Sequence, residues 1–83
     1  MAVIQLMDIQ QFIENFTDLF DETDPATISA TTQFTSLEEW SSLVALSVIA
    51  MVDEEYDVEF RGDDIRGSNT VEDLFTIVKN RVG

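Results

Sequence analysis

Trp40-Ser41-Ser42-Leu43-Val44-Ala45-Leu46-Ser47-Val48-Ile49-Ala50-Met51-Val52-Asp53-Glu54-Glu55-Tyr56 is the stretch on which the fold turns. From Leu43 to Val52 nearly every residue is apolar, and the run then ends in three acids. Its length and composition predict a helix from Ser41-Ser42 to about Tyr56. Either serine can cap the helix N-terminus. A helix apolar on every side should be wholly buried. One domain of 83 residues is too small to enclose it. Part of its surface is therefore expected to face solvent, as an apolar strip rimmed by acids.

Outward from this helix the pattern is helical on both sides. Ile9, Phe12, Ile13, Phe16, Leu19 and Phe20 form a stripe at helical spacing. Asp8, with Gln11 three residues on, resembles a capping box and marks the start. The apolar residues 2–7 could extend that helix. Between Asp21 and Ser41 the periodicity stops, and Asp24-Pro25 signals a turn. So long a loop is more often functional than idle. Ile28, Phe34 and Leu37 are spaced to pin it to the core.

Beyond the central helix, Asp57–Arg61 predicts a short extended segment. Gly62–Gly67 fits one helical turn. Thr70 can cap a last helix whose apolar face is Val71, Leu74, Phe75, Ile77, Val78 and Val82. Lys79 and Arg81 suit the negative end of that helix. The expected fold is an all-α single domain over residues 1–83, with three main helices, a short third helix, and a long loop between the first and second.

The net charge is −13, from 17 acids and 4 bases. Residues 1–60 hold 13 of the acids and no Lys or Arg; beyond them the charges balance. Such a field repels nucleic acid and anionic membranes and attracts basic protein surfaces. Cys and His are both absent. That removes a disulfide framework, a thiolate nucleophile and the soft zinc ligands. No metal is expected. A calcium loop counted from Asp53 would need Gly sixth and Glu twelfth, where Val58 and Asp64 stand. A serine hydrolase would need a base beside Ser42. The start of the chain lacks a basic, long-apolar leader, and Leu43–Val52 is too short to span a bilayer. A cytoplasmic monomer is expected.

A hydroxyl at the mouth of the central helix can be an ordinary N-cap. It can also be a site for a phosphate-linked group, because a helix start offers unpaired N–H groups and partial positive charge. The wider pattern resembles the acyl carrier protein family, which includes peptidyl carrier domains. The resemblance covers nearly the whole chain. It includes the opening helix, the loop ending Phe34-Thr-Ser-Leu-Glu-Glu-Trp40, Ser42-Leu43, the helix end Asp53-Glu-Glu-Tyr56, Asp57-Val-Glu-Phe60 and Thr70-Val-Glu-Asp-Leu74.

The family motif Asp-Ser-Leu carries 4′-phosphopantetheine on its serine. Ser42-Leu43 matches its last two positions, and Ser41 stands in place of the aspartate. The resemblance implies a protein without catalysis of its own. It would carry acyl or aminoacyl groups as thioesters on an arm attached at Ser42. Serine replaces aspartate as a cap but not as a charge, so loading by the phosphopantetheinyl transferase is expected to be affected.

The second helix is the family's recognition helix. Leu43, Leu46, Ser47, Ala50 and Glu54 are the candidate docking face for acyl-loading and acyl-transfer enzymes with basic and apolar patches. Leu43 and Leu46 could instead be core. The opposite face (Ala45, Val48, Ile49, Val52) should pack inward. By position, Val52, Phe60, Ile65 and Val71 would line an acyl pocket, or fill an ordinary core. The bulk of Ile65 leans toward short or polar cargo. Trp40 and the uncharged first half of the helix suggest a specialised carrier. The competing expectation is an acidic protein-interaction module without a prosthetic group.

Overall fold

A computed structural model describes residues 8–82. Helix α1 (Ile9–Thr17) begins where Asp8 accepts the Gln10 N–H at 2.9 Å. Gln11 does not close a capping box. Its amide donates along the helix to Asn15 at 3.1 Å, and Asn15 donates to the Tyr56 hydroxyl at 3.1 Å. The expected apolar stripe outlasts the helix. Thr17 and Asp18 are weak helix formers, and two tight turns carry Leu19 and Phe20 onto the core. The run at residues 2–7 lies outside the described residues.

The long loop is pinned as its apolar spacing predicts. It contains two single 3-10 turns, Pro25–Thr27 and Phe34–Ser36. Ile28 and Phe34 are buried, and Leu37 packs against the core. Helix α2 (Ser42–Tyr56) follows, then the segment 57–61 with Val58 and Phe60 turned inward, the short α3 (Gly62–Arg66), and α4 (Val71–Arg81). Among the described residues there is no strand, only an antiparallel bridge between Gln33 and Thr70. Helix α1 packs on α2 and α4, and α3 packs on α2 and α4.

The loop also completes the last helix. The Val71 N–H donates to the Thr32 carbonyl at 3.1 Å, and the Glu72 N–H to the Ala30 carbonyl at 2.9 Å. Two donors that a helix start leaves unpaired are thus satisfied by backbone from far along the chain. Thr70 and Asp73 close a reciprocal capping box. The Asn69 and Thr70 N–H groups hold the Asp73 carboxyl below its ordinary range.

The core is aromatic at its centre. Phe12 meets Phe75 at 5.6 Å and Tyr56 at 5.9 Å between ring centroids. Phe34 meets Trp40 at 4.8 Å and Phe16 at 6.3 Å. These separations are the range in which tilted and edge-on rings attract. At the far end, Arg81 grips Asp64 with two hydrogen bonds of 2.7 and 2.8 Å and donates to the Glu59 carbonyl at 3.1 Å. That fork, chiefly, lowers the Asp64 carboxyl.

Candidate functional site

The mouth of α2 separates its two serines. Ser41 is the N-cap, extended at φ −157°, and its Oγ accepts the Val44 N–H at 3.3 Å. The Ala45 N–H donates to the Ser41 carbonyl at 3.0 Å. Ser42 is the first helical residue and is exposed. Its hydroxyl forms no hydrogen bond with another described residue, and with Val44 and Ala45 paired, the N–H groups of Ser42 and Leu43 are the ones left at the positive end of the helix.

The approach to this mouth is fixed from below. The Glu39 carboxylate accepts the N–H groups of Asp21, Glu22 and Thr23 at 2.8–3.2 Å and the Thr23 hydroxyl at 2.6 Å. The Thr23 hydroxyl, aided by those backbone donors, holds the carboxyl below its ordinary range. Trp40 then leans on Phe34 and Phe16. The start of α2 is therefore tied to the end of α1 by one carboxylate and one ring. Nothing in the local pattern around Glu39 signals this tie, because its partners lie 16–18 residues away and all but the Thr23 hydroxyl are backbone groups.

Beside Ser42 runs an open groove of about 790 Å³. One wall is Trp40, Ser41, Ser42 and Ala45; the other is Gly62, Ile65, Arg66, Ser68 and Asn69, with Thr35 at one end. Hydroxyls, an amide and a guanidinium meet here with Trp40, Ala45 and Ile65, beside the start of α2. That donor set fits a phosphodiester continued by an amide-bearing arm. The side chains that could hold such a group are Ser42, by its exposed hydroxyl, and Arg66 and Asn69 along the groove; Ser68 is buried, and its hydroxyl donates to the Asp64 carbonyl at 2.9 Å.

Of the four residues expected to line an acyl pocket, Ile65 alone reaches the groove. Val52, Phe60 and Val71 lie buried in the main core, of which Ile65 is also a member. On α2, Leu43 and Leu46 are 73% and 62% exposed, so neither belongs to the core. Ala50 and Glu54 are exposed on the same helix. Ser47 is half-buried, with its hydroxyl donating to the Leu43 carbonyl at 3.1 Å. Val48 and Val52 point inward with Met51, while Ala45 and Ile49 pack at the margin. Sequence reasoning did not single out Arg66 or Met51. No helix of the described residues is long and apolar enough to cross a membrane. Comparison of the chain with protein-family models, curated proteins and solved structures returns no match.

Proposed function

We propose that this chain is a carrier module of the acyl carrier type, bearing a 4′-phosphopantetheine arm on Ser42. The observation that carries the reading is the division of labour at the mouth of α2. Ser41 spends its side chain on the cap, and Ser42 keeps an exposed, uncommitted hydroxyl above a groove. An N-cap serine alone would need only one of the two. When bound, the arm supplies a terminal thiol on which acyl or aminoacyl groups ride as thioesters, the chemistry a chain without Cys otherwise lacks. The chain's own part is to fix the attachment point, keep the arm's root against the groove, and offer a surface to the enzymes that load and use it.

That surface is the outer side of α2. Leu43 and Leu46 give it two apolar anchors near Ser42. Asp53, Glu54, Glu55 and Asp57 lie at the helix C-terminus, where the dipole is negative and no base among the described residues pairs with them. Acids so placed weaken the helix, and a basic partner would offset their repulsion. The bulk of Ile65 at the groove favours short or polar cargo, and Trp40 with the uncharged first half of α2 favours a specialised pathway.

Incubation with coenzyme A and a broad-specificity phosphopantetheinyl transferase tests the reading by intact mass. The wild type should gain one phosphopantetheine and Ser42→Ala none. No gain with several transferases would refute it. The same unanswered acids would then favour a second reading, an acidic interaction module that needs no prosthetic group.

A further inference from the structure

An arm on Ser42 begins with a phosphodiester, so it adds negative charge to a chain already at −13. The anion needs a local counter-charge, and the chain has four bases to offer. Arg81 is held by Asp64 and the Glu59 carbonyl, and Arg61 pairs with Glu59 at 3.2 Å in the same cluster. Lys79 sits in the last turn of α4. Arg66 alone among them lines the groove that Ser42 lines.

Its present partner is Asp63, one turn back on α3, in an ion pair whose side chains are 74% and 83% exposed. Exposed pairs of this spacing hold weakly and yield to a better acceptor. The guanidinium lies over Gly62, where a Cβ would stand 3.4 Å from its Nη1. A guanidinium presents a planar fork of donors that matches two phosphate oxygens, which an ammonium does not.

We propose that Arg66 is a positioning residue for the arm: on loading, it leaves Asp63 for the phosphodiester on Ser42 and holds the root of the arm in the groove. The proposal rests on the carrier reading. It assigns Arg66 no part in docking or in thioester chemistry.

The test uses the ¹⁵N-labelled full chain before and after loading from coenzyme A, with mass confirming occupancy. There are three arginines, so three side-chain Nε–H signals. Loading should move the Arg66 signal and leave that of Arg81 in place. The ³¹P resonance of the phosphodiester should differ between wild type and Arg66→Gln. A fluorophore carried on the arm should show higher anisotropy in wild type than in Arg66→Gln, with Arg66→Lys between, since it keeps the charge and loses the fork. Thermal melts of the unloaded variants check that they fold. Full loading with an unmoved Arg66 signal, or with identical ³¹P shift and anisotropy in Arg66→Gln, overturns this proposal and leaves the carrier reading intact. Failure of the wild type to load at all overturns the carrier reading, and this proposal with it.

Discussion

The two serines at the mouth of α2 should behave oppositely when each is replaced by alanine. Ser41→Ala removes the Oγ that accepts the Val44 N–H. Loss of an N-cap costs about 1 kcal/mol, and the 3.3 Å length of this bond places the cost in the lower half of the usual range, about 0.5–1 kcal/mol. For a domain of this size that lowers Tm by about 2–8 °C. Ser42→Ala removes an exposed hydroxyl from a position where alanine is a good helix former, so stability should stay within about 0.5 kcal/mol. In loading with coenzyme A the order reverses: Ser41→Ala still gains mass, and Ser42→Ala does not. Ser41→Asp keeps the cap and adds a carboxylate at the positive end of the helix, for about 0.3–1 kcal/mol of stabilisation. It should load at least as fast as wild type. Circular-dichroism melts and intact mass spectra on the same four proteins decide the matter. Equal destabilisation by both alanines, or loss of loading in Ser41→Ala alone, would refute this division of roles.

Other perturbations follow from the same packing and charge. Phe34→Ala empties a fully buried site between Phe16 and Trp40 and should cost about 3–5 kcal/mol, much of the stability of so small a domain, seen as loss of a cooperative urea transition. Glu39, Asp64 and Asp73 all have carboxyls lowered in the fold. Their stabilisation is therefore complete above the unfolded carboxylate values near 4 and is lost as pH falls through the folded ones. Glu39→Gln should make a pH titration of Tm shallower on its acid limb. Asp57 caps α2 at φ 56° and places a negative charge at a negative helix end, so Asp57→Asn should gain about 0.3–1 kcal/mol in the urea midpoint. Leu46→Glu on the exposed side of α2 should leave the melt unchanged and raise the transferase KM for this carrier.

The sequence was most informative where periodicity or a cap carried the signal. Asp8, the Ser41-Ser42 pair and Thr70 place three helix starts, because each needs one short polar side chain next to an apolar run; which of the two serines caps is decided by the fold. That part of α2 faces solvent follows from arithmetic, since too few residues exist to cover an apolar helix, but only the fold decides that Leu43 and Leu46 lie there and not in the core. What stayed hidden is contact between backbone and distant groups. Glu39 reads as one more acid, yet it gathers three N–H groups of the preceding loop. Arg66 reads as a base at the end of a one-turn helix, and only the fold brings it to the groove of Ser42. The candidate pocket residues share apolar character and all join the core, so pattern alone could not show that only Ile65 of the four also lines the groove.

The carbonyls of Ala30 and Thr32 that receive the first N–H groups of α4 also bear on how the chain folds. A helix whose opening turn is completed by residues some forty positions earlier cannot reach full stability from its own segment. Closing that span costs chain entropy before the two bonds return anything. The joining of loop to α4 is therefore expected late on the folding path, after Phe34 has settled between Phe16 and Trp40. The amide protons of Val71 and Glu72 become its reporters: their protection from exchange should appear only in whole-domain folding and vanish in any fragment that begins after the loop.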